Sequence, residues 1–364
     1  MLKRTLKSSR LTNFVALTYG FILPVTLTIG NLKANEFCTM EDGACDSGAK
    51  SALQRAIEVG KLELPSRKLK VNGEFEGRDF WQKYESLFTE AWNELPKLHP
   101  EIYSYDQNFK DSFINPELRK TFELLREAAG NFEESLDESE LWMLLPESKD
   151  VKGVYEISNG LFTEKFLKLF LEELEHLSSS GIPIRRPNGM NRYGAILGEI
   201  GFQSVFDALS REYISPIVQM LYPDYISDED ADENYAFIVD YQKDSSESSD
   251  FDVELKEHRD SSVATLNVCL GYDNFTDGNL LFLKDEVTEY QFDRSKGQGE
   301  VKMRPGLSIL HKGQHRHAAL PITGGRRVNL IMWIMGQGGY VRIAPYSLHS
   351  QMTGKKRWNR NKLC

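Results

Sequence analysis

From Tyr235 onward the apolar residues of this chain recur with a period of two, in short runs separated by glycine and proline turns. Successive side chains on a strand point to opposite faces, so such a run buries one face and frees the other for polar groups. Residues 263–270 show the pattern: Ala264, Leu266, Val268 and Leu270 alternate with Val263, Thr265, Asn267 and Cys269. Further strands are expected at 236–241, 280–283, 306–311 and 326–334. No helical segment interrupts them. Short strands without crossover helices close into a double-sheet jelly roll or cupin-like barrel.

The preceding half has a different period. Between residues 51 and 178 the apolar positions follow helical spacing, as in Phe80, Tyr84, Leu87, Phe88 and Trp92, or Leu118, Phe122, Leu125 and Ala128. Residues 161–177 form a long amphipathic run, and apolar helix faces of this kind report packing rather than chemistry. The expected fold class is therefore α+β, a C-terminal double-stranded β-helix with an N-terminal helical region. Between the two lies 181–201, where Pro183 and Pro187 exclude a helix. Its density of Asn, Gly, Arg and Tyr suits a structured loop rather than an inert linker. One more helix is expected over 202–221, ending before Pro223.

The N-terminus reads as a delivery signal. Lys3, Arg4, Lys7 and Arg10 precede an uncharged apolar run over 11–30. About 20 apolar residues suffice to span a bilayer, so the run is a signal peptide or a signal-anchor. Either sends the rest of the chain into the secretory pathway, to the endoplasmic reticulum or Golgi lumen. Cys38 and Cys45 are spaced to close a small disulfide loop there, whereas Cys269 is expected to be a buried thiol. Asn274-Phe275-Thr276 is a glycosylation sequon usable only in that compartment. A net charge of −10 argues against nucleic-acid binding, and the basic run from Lys355 reads as a solvated tail.

The chemistry sits on the polar faces of the strands. His258 and Asp260, two apart, can point the same way. Imidazole and carboxylate suit Fe(II), Mn(II) or Zn(II), and a distant second histidine completes the 2-His-1-carboxylate set of non-haem iron sites. Spacing leaves His311, His315 and His317 as candidates for that position, with His317 preferred. A guanidinium one strand further on is placed to hold the far carboxylate of a bidentate acid. Arg326 and Arg327 lie on opposite faces of that strand, with Arg327 preferred.

Residues 241–333 resemble the catalytic domain of the Fe(II)/2-oxoglutarate dioxygenases of the prolyl/lysyl hydroxylase superfamily. His258-Arg-Asp260-Ser-Ser-Val-Ala-Thr265-Leu-Asn267-Val-Cys-Leu is similar to the first motif of collagen lysyl hydroxylases. His317-Ala-Ala-Leu320-Pro321 with Gly325-Arg326-Arg327 is similar to the second. A closer resemblance is to the family called 2-oxoglutarate and iron-dependent oxygenase domain-containing protein 2. Its Arg-Pro-Asn-X-Met-Asn-X-Tyr-Gly motif is matched by Arg186-Pro187-Asn188-Gly189-Met190-Asn191-Arg192-Tyr193-Gly194.

The resemblance implies that His258, Asp260 and His317 hold iron and that Arg327 binds the distal 2-oxoglutarate carboxylate. It also implies that Tyr241 and Asn267 assist co-substrate binding. Fe(II), 2-oxoglutarate, O2 and L-ascorbate are the implied cofactors. A Lys- or Pro-type side chain of a protein or peptide is the implied substrate, hydroxylated with release of succinate and CO2. The resemblance covers roughly residues 181–333, and with the patterning read above the expected organisation is a leader over 1–34, a helical region over 35–180, the dioxygenase domain over 181–340 and a basic tail over 341–364. Two departures stand out. Asp277-Gly278 replaces the family's Gly-Gly, and Asp tolerates positive φ better than most residues. The Ser/Asp-rich loop over 244–252 is also longer than in lysyl hydroxylases. Rival readings are a catalytically silent metal-binding module of the secretory pathway and a non-oxidative cupin-type zinc or manganese enzyme, the latter opposed by Arg327.

Overall fold

A computed structural model describes residues 50–63, 78–130, 142–222, 233–243, 251–272, 274–283, 297–335, 340–342 and 351–353. The apolar run 11–30, Cys38, Cys45, residues 244–250 and the basic tail from Lys355 lie outside the described residues. Among the described residues, no helix is long and apolar enough to cross a membrane.

The helices are α1 (Ala52–Glu63), α2 (Arg78–Glu94), α3 (Gln107–Phe113), α4 (Pro116–Gly130), α5 (Glu164–Ser179), α6 (Gln203–Leu209) and α7 (Ser215–Leu221). The strands that build the barrel are β1 (Val154–Glu156), β2 (Gly194–Ile196), β3 (Glu233–Lys243), β4 (Leu255–His258), β5 (Ala264–Gly271), β6 (Thr276–Asp277), β7 (Leu280–Leu283), β8 (Gly297–Val301), β9 (Ser308–Lys312), β10 (His317–Ala319) and β11 (Ile322–Met335). They form a large sheet in the order β1-β9-β5-β11-β3-β2, with β6 beside β11, and a smaller sheet in the order β4-β10-β7-β8. All their pairings are antiparallel. This is the double-sheet jelly roll expected from the period-two pattern.

The large sheet is covered on both faces, which is why every residue of β5 is buried rather than every second one. Even-numbered residues of β3 and β11, among them Ile238, Asp240, Arg326 and Val328, face Leu171 and Leu174 of α5 across a cavity of about 290 Å³. Odd-numbered residues face the barrel interior, where Arg327 lies opposite Tyr241 in register. Phe109, Phe113, Phe166, Phe170, Phe202 and Phe206 form an aromatic column joining α3, α5 and α6. Each such buried ring contributes about 1.5–3 kcal/mol relative to exposure.

Three local features depart from the periodicity reading. Strand β1 falls inside the stretch that reads as helical and pairs with β9, because three residues cannot display a period of two. Strand β2 likewise forms within the 181–201 loop and pairs with β3. The helix over 202–221 is interrupted by a π turn at Ser210–Ile214. Pro216 follows it and has no N–H to give the carbonyl four residues back, so the ladder is rearranged there.

Candidate active site

Strand β4 ends on His258, and β10 begins on His317 directly opposite it in register. Asp260 follows β4 in a short connection whose backbone N–H donates to the Gly313 carbonyl at 2.8 Å. One ligand atom from each of His258, Asp260 and His317 lies within 4.8 Å of the others, and all three residues are buried. The Nε2 of His258 is 3.4 Å from Asp260 Oδ1, and that of His317 is 3.8 Å from Oδ2.

Hydrogen bonding fixes which ring nitrogens face the centre. His258 Nδ1 donates to the Lys256 carbonyl at 2.8 Å, and His317 Nδ1 donates to the His315 carbonyl at 2.9 Å. A carbonyl only accepts, so Nδ1 carries a hydrogen in each ring and Nε2 is the nitrogen left to meet a metal. Burial, with His258 beside it, holds the His317 imidazole neutral, well below its ordinary value. Burial opposes charge on Asp260, but the neighbouring His317 and His258 outweigh it and keep the carboxyl ionised. Thr265 Oγ1 donates to Asp260 Oδ2 at 2.6 Å and fixes the carboxylate plane. Two imidazoles and one oriented carboxylate, with ligand atoms within 4.8 Å of one another, fit a divalent N/O-ligated metal.

The competing histidines separate by position. His315 lies against the Phe282 ring at 4.8 Å between centroids and serves His317 through its backbone carbonyl. His311, one of the three ligand candidates that spacing leaves open, is fully buried on β9 with Nε2 3.9 Å from Asp260 Oδ2. That Nε2 has no hydrogen-bond partner, so the residue flanks the cluster without joining the three-residue ligand set. Spacing leaves it among the ligand candidates, and register with Thr265 brings it beside Asp260.

Deeper in the barrel, Arg327 is fully buried with its guanidinium 4.7 Å from the Tyr241 ring centroid. Its Nη1 donates to the Gly278 carbonyl, while Nε and Nη2 have no hydrogen-bond partner. Asp277 and Gly278 adopt φ of 61° and 75°, so the turn survives the departure from Gly-Gly. A Cβ on Gly278 would come within 2.9 Å of Arg327 Nη1, which requires glycine at that position. Arg326 points to the opposite face and pairs with Asp240 through two bonds of 3.0 and 2.9 Å. Asn267 accepts from Asn329 Nδ2 at 2.6 Å. Asn329, on the Arg327 face of β11, was not singled out by sequence, although its parity with Arg327 points to it. Buried cations are normally paired, so the unpartnered Nε and Nη2 of Arg327 suit an anion beside the guanidinium.

A family model described as an OGFOD2-like domain matches residues 92–227. The zebrafish (Danio rerio) 2-oxoglutarate and iron-dependent oxygenase domain-containing protein 2 is 32% identical over 277 residues, covering 76% of this chain and 74% of the relative. The chain belongs to this family. An Arabidopsis thaliana relative, 2-oxoglutarate and iron-dependent oxygenase domain-containing protein ICU11, is 35% identical over 243 residues, covering 65% of this chain and 55% of its own length. Human procollagen-lysine,2-oxoglutarate 5-dioxygenase 1 is more distant, at 28% identity over 184 residues, 48% of this chain and 23% of the relative. The protein is thus an oxygenase dependent on iron and 2-oxoglutarate.

Proposed function

We propose that the protein hydroxylates a Lys- or Pro-type side chain of a protein or peptide, consuming O2 and 2-oxoglutarate and releasing succinate and CO2. The observation that carries this reading is the presence of two buried features in one barrel. The His258–Asp260–His317 cluster suits a metal, and the under-bonded Arg327 guanidinium suits the far carboxylate of a dicarboxylate bound to that metal. In this reading those three residues hold Fe(II). Arg327 pairs with the distal carboxylate of 2-oxoglutarate, and Tyr241 and Asn267 line its path. Iron and 2-oxoglutarate together supply the oxidant for an unactivated C–H bond. The chain contributes position, exclusion of water and charge neutralisation. Thr265 holds the carboxylate, the Lys256 and His315 carbonyls hold the imidazole tautomers, and the barrel wall keeps the site dry.

A protein substrate is supported by the name of the procollagen-lysine relative. L-Ascorbate would keep the metal reduced between turnovers. The apolar run over 11–30 supports action in the secretory lumen, with that run serving as leader or anchor. Asn274 of the sequon is exposed, as glycosylation would need. The substrate reading is tested by incubating a peptide library with protein, Fe(II), 2-oxoglutarate, ascorbate and 18O2. Incorporation of one labelled oxygen on Lys or Pro is the expected result. Label confined to small molecules would contradict a protein substrate. Loss of a glycan from wild type but not from Asn274→Gln on glycosidase treatment tests the compartment.

A further inference from the structure

His311 has no part in the chemistry above, yet it is fully buried beside the metal cluster. Strand β9 carries it opposite Thr265 of β5, and its ring meets that of His317 edge to face, with centroids 4.8 Å apart. Nδ1 donates to the Lys312 carbonyl at 3.0 Å, which fixes the ring and leaves Nε2 toward Asp260. There Nε2 stops 3.9 Å from Oδ2, beyond hydrogen-bond reach, and has no partner. A buried polar atom left in that state is destabilising. Across the gap, Oδ2 accepts from Thr265 Oγ1 at 2.6 Å, and Thr265 accepts in turn from Ser262 Oγ at 2.9 Å. A carboxylate oxygen has capacity for a second donor.

One water molecule answers both needs. Two hydrogen bonds of about 2.8 Å reach across 3.9 Å with the water off the line, and two polar atoms are the partners a buried water requires. The fit does not depend on the charge of His311. A neutral ring accepts from the water and a protonated ring donates to it, and in both cases the water keeps a hydrogen for Oδ2. We propose that His311 is a positioning residue, acting on the metal ligand Asp260 through one buried water held between Nε2 and Oδ2. With Thr265 on the same oxygen, the water orients the carboxylate so that Oδ1, 3.4 Å from His258 Nε2, is the atom left for the metal. The inference rests on the metal site of His258, Asp260 and His317.

The test joins a crystal structure of the full-length protein loaded with Mn(II) to calorimetric titration of Mn(II), neither of which involves turnover. The structure is expected to show a water within hydrogen-bond distance of both Nε2 and Oδ2. His311→Phe keeps an aromatic ring without a nitrogen and is expected to bind Mn(II) about 10-fold more weakly, as loss of a ligand's outer partner does, while still loading at saturating metal. His311→Gln, whose amide can accept or donate, is expected to restore most of that affinity. A merely structural role would give the reverse order, because phenylalanine fills an apolar site better than glutamine does. Wild-type affinity in His311→Phe, a loss confined to His311→Gln, a bare gap or Nε2 bound to the metal itself would each overturn the inference. A wild-type protein that takes up no Mn(II) would instead overturn the metal site, and the bridge with it.

Discussion

Arg327 is the residue on which most turns, because a buried guanidinium whose Nε and Nη2 both lack partners is stabilised by an anion beside it. Arg327→Gln is expected to weaken 2-oxoglutarate binding about 10- to 100-fold, since each charge-assisted hydrogen bond contributes about 1.5–3 kcal/mol. Arg326→Ala, on the other face with Asp240, should leave that affinity unchanged, and titration calorimetry reads both. The histidines give a second contrast. His317→Ala should abolish Fe(II) binding, while His311→Ala should retain it, as measured by metal content after anaerobic loading. Acid is expected to weaken the metal-free fold. Burial lowers the His317 and His311 pKa values, so below the ordinary value of 6.5 the unfolded chain binds protons that the folded chain refuses. Stability therefore rises with pH through that window and is lost as pH falls below 6.5. Urea midpoints on either side of that value, for wild type and His311→Phe, check the sign, with the smaller pH response expected in the variant. Of these residues the ligand set and Arg327 were legible in the sequence, through motif and strand parity. His311 was legible only as one of three ligand candidates, since cross-strand register sets its place beside Asp260, and Asn329 was passed over although it shares the parity of Arg327.

Elements differ in how plainly they announce themselves. Strands β3, β5, β9 and β11 carry enough residues to be read as strands, and β7 shows as a short, wholly apolar run. The three-residue β1, β2 and β10 exist only because a neighbour offers its edge. Helix α5 shows both local and tertiary causes. Thr163 Oγ1 caps it by accepting from the Phe166 N–H at 3.4 Å and itself donates to the Ser112 carbonyl at 2.9 Å. Thr163→Ala is expected to cost about 1 kcal/mol of stability, the usual value of such a cap, without altering 2-oxoglutarate affinity. Chemical denaturation of the variant tests the first part and calorimetry the second.

At the scale of the whole molecule, the helical region and the barrel share one apolar cluster, from Ala56 and Phe88 through Phe170 to Leu310 and Met332. Helical periodicity revealed that the N-terminal faces are apolar, but not that they cover the outside of the large sheet, since an apolar face reports burial and not its partner. A chain beginning at residue 181 would lose β1 and α5 and expose the outer face of β5. It is expected to partition to the insoluble fraction to a greater extent than the full chain, as sedimentation of both would show. The central claim is that one barrel interior joins a 2-His-1-carboxylate iron site to a carboxylate-binding arginine. Its most direct measurement is succinate release from 2-oxoglutarate by purified protein with Fe(II) and ascorbate, with and without a peptide panel. The account predicts release that depends on iron and disappears in His258→Ala and Arg327→Gln. No release under any of these conditions, together with wild-type iron binding by His258→Ala, would contradict it.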